Sequence, residues 1–164
     1  MFGLLTVVGI AAAIVKTVDD YMEIAALSAR WRDKIFAAAR RHGVGPHILL
    51  SIIKKESNFN PAAVGTSGEI GLGQFLPIAA RDIGVSFDAL RNDPDLQIES
   101  AARLLALNIS RSTGNVVTAV RAYNVGIGKA MSNASAGSTY LVDVLRLAFT
   151  DWLYTSVMTG PKIQ

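Results

Sequence analysis

At 164 residues the chain is long enough for one domain with a sizeable core, and 51% of it is hydrophobic. It contains no cysteine, which excludes disulfides, a thiolate nucleophile, cysteine metal sites and cysteine-linked lipid anchors. A formal net charge of +3 is compatible with an anionic polymer partner but selects none.

Residues 1–18 read MFGLLTVVGIAAAIVKTV, with no charged side chain before Lys16. An uncleaved membrane anchor is the preferred reading, ahead of a signal-peptide core, which normally follows a basic stretch, and of a buried helix. Asp19, Asp20 and Glu23 then form either a capping box opening a new helix or a polar collar on a continuous one. Leu27, Trp31, Ile35 and Ala38 or Ala39 mark one face of a helix to about His42, with Gly43 as its stop. Pro46 opens the next helix. Leu49, Ile52, Ile53 and Glu56 sit on it at i, i+3, i+4 and i+7, one stripe with the acid at its end.

Residues 57–75 carry Asn60-Pro61, Gly65, Gly68, Gly71 and Gly73 and read as loop, with room for a short bridge within 63–75. Short helices are expected near 77–83 and 86–91, the second capped by Ser86. Asn92-Asp93-Pro94 opens a longer, central helix whose buried stripe is Ile98, Ala101, Ala102, Leu105 and Ile109. It ends at Thr113-Gly114. Asn115 caps a helix bearing Val116, Ala119, Val120 and Tyr123 on one face, broken after Asn124 by Gly126 and Gly128. Residues 132–138 form a small-residue loop. Ser138 caps a last helix to roughly Met158, with Leu141, Val144, Leu145, Ala148 and Trp152 as its apolar face. No segment alternates like a strand, so the class is all-α.

A carboxylic acid set against apolar surface at a helix C-terminus resists ionisation and is suited to donate a proton near neutral pH. Taken alone, Glu56 reads more readily as a partly buried ion-pair partner of a Lys or Arg. Two further motifs reverse that preference. The first is Gly68-Glu69-Ile70-Gly71-Leu72-Gly73-Gln74-Phe75 with Pro77, and the second is Ala122-Tyr123-Asn124-Val125-Gly126-Ile127-Gly128. With Glu56-Ser57, Phe59 and Pro61 they stand in order on fitting helix ends, and together they resemble the soluble lytic transglycosylase (SLT) domain. This is the goose-type-lysozyme-like family that cleaves peptidoglycan, and the likeness runs from about Asp33 to Leu145.

The resemblance implies a lysozyme-like helical domain over 19–158, behind the apolar N-terminal helix and before a short tail, 159–164. It implies that Glu56 protonates the oxygen of the MurNAc–GlcNAc β-1,4 bond. Glu56 would then take a proton back from the C6 hydroxyl, giving a 1,6-anhydro-MurNAc end without water. It implies substrate contacts from Ser57 and Gln74 and an orienting role for Tyr123 and Asn124. Phe75, Phe59 and Tyr140 could offer sugar-stacking faces, and Gly71 and Gly73 would let backbone approach the glycan.

The sequence departs from the family at Glu69, usually a small residue, and at Gly73, often methionine. Glu69 is read first as a solvated loop acid. Its alternative role is that of a second carboxylate supporting lysozyme-like hydrolysis. Removing the methionine side chain at 73 would widen a subsite. A catalytically dead glycan-binding module is the non-enzymatic alternative. His42 and His47 lack metal-ligand spacing, and no metal, cofactor or nucleic-acid partner is expected. The expected settings are the periplasmic face of the inner membrane, held there by 1–18, or a phage virion or envelope apparatus that opens the wall locally.

Overall fold

The computed structural model describes Lys16 and residues 18–159, with side chains through Val157. Most of the expected anchor (1–15) and the tail from 160 lie outside the described residues. Among these, nine helices follow one another: α1 (18–28), α2 (Arg32–Arg41), α3 (Pro46–Ser57), α4 (Pro77–Asp82), α5 (Phe87–Leu90), α6 (Pro94–Arg111), α7 (Val116–Val125), α8 (Ile127–Ser132) and α9 (Ser138–Thr159). No helix among the described residues is long and apolar enough to cross a membrane. The only pairing of extended backbone described is two isolated antiparallel bridges, Val64 with Ile70 and Ile70 with Phe75, inside the loop where a short bridge was expected.

The start and stop signals act by direct hydrogen bonding. Asp93, Asn115 and Ser86 accept from the backbone N–H groups of Leu96, Thr118 and Ala89 at 2.9, 2.9 and 3.4 Å, satisfying donors that a helix start leaves unpaired. Gly43 takes φ 66°, the left-handed turn that ends α2. The stretch expected as one helix to His42 is two. Trp31 N–H bonds Ser28 O at 2.8 Å and closes a tight turn between α1 and α2. Upstream, Asp20 lies inside α1 rather than capping it, and it pairs with Lys16 and Arg146. Whether α1 continues the apolar run 1–15 falls outside the described residues. One element, α8, carries no sequence signal beyond Gly126 at its start, and Gly128, expected to break the chain, lies inside it.

α3 is the centre of the packing and touches α2, α6 and α9. Leu49, Leu50, Ile52 and Ile53 are fully buried, each contributing about 2 kcal/mol of transfer free energy. That burial fixes where the C-terminus of α3 points. α9 docks on α3 and α7 with Leu141, Val144 and Ala148 of its expected face against the core, but with the edge of that face rotated. Leu145 and Trp152 are 41% and 49% exposed, whereas Tyr140, Val144, Leu147, Ala148 and Asp151 face inward. The cause is electrostatic. Asp151 is completely buried, with its carboxylate 2.8 Å from Arg32 Nη2 and 2.6 Å from His47 Nδ1. A buried carboxylate needs such partners, and they set the rotation of the helix.

The loop between α3 and α4 is held from below by Gln97 on α6. Its Nε2 donates to Leu90 O at 2.7 Å and Pro61 O at 3.1 Å, and its Oε1 accepts from Leu72 N–H at 2.8 Å. A Cβ at Gly71 (φ 73°) would collide with this side chain. Gln97→Leu would leave three buried backbone groups without partners, and a loss on the order of 3 kcal/mol is expected, read as a lower urea midpoint at unchanged slope.

Candidate active site

Glu56 occupies the last turn of α3, one turn beyond the buried Ile52–Ile53 step. The chain then reverses through Asn58 (φ 53°) and Phe59 (φ 61°), two successive non-glycine residues in the left-handed region. Such backbone is costly and persists only where packing enforces it. Here Phe59 is 5% exposed and anchors the reversal. The carboxylate meets α9 across the core: Tyr140 donates its hydroxyl to Glu56 Oε1 at 2.6 Å. Oε2 takes no hydrogen bond from any described residue and is the oxygen left to carry a proton.

The environment favours that proton. Burial pushes the Glu56 carboxyl up to about 7 from an ordinary value of 4.5. The Tyr140 hydrogen bond and Lys55 oppose the shift, and the Glu69 charge adds to it. Lys54 and Lys55, which share the turn, are engaged elsewhere, with Glu23 and Asp143 at 2.6 Å each. Tyr140 and Tyr123 are both raised far above the usual phenol value, first by burial and then by the Glu56 charge, so each keeps its proton.

Glu56 opens into a cleft of about 660 Å³ shared with Gly65, Glu69, Gln74, Tyr123 and Asn124. Gln74 (φ 47°) donates from Nε2 to Gly71 O at 3.0 Å and Ala63 O at 3.3 Å. Its Oε1 converges with Glu69 Oε2 above Gly65, where an added Cβ would push the ends of both side chains aside. Glu69 accepts from Ser67 N–H at 2.9 Å. It is half-buried in the wall of the cleft, not a freely solvated loop acid. Tyr123 donates to Gly73 O at 3.2 Å, and Asn124 is exposed in the cleft.

Other residues singled out in the sequence sit behind the cleft. The Ser57 hydroxyl is buried and shared between Leu72 O (3.0 Å) and Ile53 O (3.2 Å), tying α3 to the loop. Phe75 is fully buried and Phe59 nearly so, and neither ring presents a face for stacking. Tyr140, 7% exposed, contacts Glu56 rather than offering a sugar platform. The space opposite Gly73 is filled by the Phe75 ring and the Tyr123 hydroxyl, at 2.7 and 2.8 Å from where a Cβ would lie. A glycine there therefore widens nothing. Two supports escaped the sequence: Gln97, and Arg121, whose buried guanidinium donates to the carbonyls of Ala130, Asn133 and Ala134. Arg121 fixes the turn that leads into α9 and hence Tyr140.

A family model, the transglycosylase SLT domain, matches residues 33–146. The chain belongs to that family. A transglycosylase of Enterobacteria phage PRD1 is 32% identical over 109 residues, 66% of this chain and 40% of that protein. A membrane-bound lytic murein transglycosylase C of Actinobacillus pleuropneumoniae is 31% identical over 161 residues, 89% of this chain and 44% of the relative. Among solved structures, an inactive mutant of the lytic transglycosylase Slt from Pseudomonas aeruginosa matches with a TM-score of 0.66 at 24% identity, over 80% of this chain and 25% of that one. That likeness bears on the fold, which is the all-α, lysozyme-like SLT fold. The chain spans less than half the length of these relatives.

The raised acid makes a prediction about stability. Folded Glu56 holds its proton up to about 7 and the unfolded side chain only to about 4.5, so the folded state binds more protons in between. The group's contribution is complete below the lower value and is lost as pH rises through the upper one. Glu56→Gln, which cannot ionise, should differ little from the parent at about pH 4 and exceed it by on the order of 2–3 kcal/mol at about pH 8. Denaturant unfolding at the two pH values measures this.

Proposed function

We propose that this SLT domain cleaves the MurNAc–GlcNAc β-1,4 bond of peptidoglycan without water and leaves 1,6-anhydro-MurNAc ends. The observation that carries the reading is a single raised carboxyl, Glu56, in the wall of the cleft, with one oxygen held by Tyr140 and the other left without a hydrogen bond from any described residue. An acid titrating near 7 serves equally as donor and acceptor at neutral pH.

In this scheme the Glu56 proton passes to the glycosidic oxygen, and the C1–O bond breaks with departure of GlcNAc. The C6 hydroxyl of the same MurNAc closes on C1, and its proton returns to Glu56. Atoms balance with no water and no second carboxylate. The Tyr140 hydrogen bond steadies the carboxylate formed midway and keeps the free oxygen aimed at the cleft. Gln74 through Oε1 and Asn124 through its exposed amide are proposed substrate contacts, with Tyr123 walling the site. Ser57 is proposed to act on the loop rather than on the glycan.

Residues 1–18 are proposed to hold the enzyme at a membrane. Support comes from the uncharged run before Lys16 and from similarity to proteins named as membrane-bound or phage-encoded. Local wall opening at the bacterial envelope or from a virion fits both kinds of relative.

Digestion of purified peptidoglycan followed by mass spectrometry tests the chemistry. Products lighter by one water than hydrolytic ones are expected, and Glu56→Gln should lower the rate by at least ~100-fold. Reducing ends formed with water uptake would instead assign Glu69 the hydrolytic role. Clearance by Glu56→Gln at the parent's rate would remove Glu56 from the mechanism.

A further inference from the structure

The cleft continues past Glu56 along α6. There Leu104, Asn108 and Arg111 face Ile78 and Asp82 of α4. Arg111 and Asp82 satisfy each other, Nη1 to Oδ2 at 2.8 Å. Asn108 is different. It follows Ile98, Ala101, Ala102 and Leu105 on the buried stripe of α6, a position that calls for an apolar side chain. It is only 4% exposed, yet it lines the cleft. Its carboxamide has no hydrogen-bond partner among the described residues. A carboxamide offers two donors and an acceptor, and those of Asn108 are open to the cleft rather than sealed off in the core.

We propose that Asn108 is a substrate-binding residue, hydrogen-bonding a secondary amide of the substrate at the α4–α6 end of the cleft. A secondary amide is the complement of a carboxamide, because its N–H and C=O pair reciprocally with the Asn oxygen and nitrogen. Arg111 is committed to Asp82, which argues for a neutral group over a carboxylate. Leu104 and the 58% exposed Ile78 supply apolar surface for the carbon atoms beside the amide. The inference rests on the cleft being a peptidoglycan site. In that polymer the amide comes from an N-acetyl group of the glycan or from a peptide bond of the stem.

Calorimetric binding in a Glu56→Gln background, where the ligand is not consumed, tests it. The probes are soluble peptidoglycan fragments and the same fragments stripped of stem peptides by an amidase. Asn108→Leu removes the amide at nearly constant volume and is expected to keep or raise the melting temperature. Binding should weaken about tenfold. Weakening on both probes assigns the N-acetyl group, and weakening on the peptide-bearing probe alone assigns the stem. Equal affinity with and without Asn108 on both probes overturns the amide site while leaving the rest of the cleft intact. Failure of the Glu56→Gln parent to bind either probe removes the glycan reading, and the amide site with it.

Discussion

The contact on which the rest depends is the hydrogen bond from Tyr140 to Glu56, made between residues 84 positions apart. Burial alone would leave Glu56 a proton holder with no preferred direction. One short bond from a phenol that keeps its own proton fixes one oxygen, tempers the shift caused by burial and leaves the other oxygen for chemistry. Both ends of that contact are over-determined. α3 is set by four fully buried aliphatic side chains. α9 is set by Asp151 between Arg32 and His47, by Lys55 on Asp143, and by Arg121 under the turn that precedes it.

The cleft wall is built differently, from backbone that is unfavourable in isolation. Asn58, Phe59 and Gln74 are three of the four non-glycine residues with positive φ among the described residues, and all three lie in the segment that leaves Glu56 and returns to it. Buried polar groups hold this segment: Ser57 on Leu72 O, Gln97 on three backbone groups, and Tyr123 on Gly73 O. Local strain offset by buried hydrogen bonds places Gln74 and Glu69 beside the acid to a precision that a mobile loop would lack.

How far the sequence reveals this depends on the range of the forces involved. Glu56 at the end of an apolar stripe is legible because helical spacing is local, and the caps Asp93, Asn115 and Ser86 are legible for the same reason. Gln97 is not, since between Leu96 and Ile98 it reads as an ordinary helix glutamine and its partners lie 7 to 36 residues away. Counting apolar residues places Val144 and Ala148 inward but misplaces Leu145 and Trp152, because Asp151 is the residue that must face inward. Glycines at 71 and 73 invite a reading of close approach to ligand. The structure fills their open sides with Gln97, Phe75 and Tyr123. Aromatic residues near a sugar site suggest stacking, yet Phe75 is core and Tyr140 is the acid's partner.

The central claim is that Glu56 is a raised acid tuned by Tyr140, and the most direct measurement is a carboxyl ¹³C NMR titration of Glu56 in the intact protein and in Tyr140→Phe. The account predicts a midpoint near 7 for the parent and a higher one once the hydrogen bond to the carboxylate is gone. A parent midpoint between about 4 and 5, in the range of an ordinary glutamate, or a midpoint unmoved by Tyr140→Phe, would contradict it.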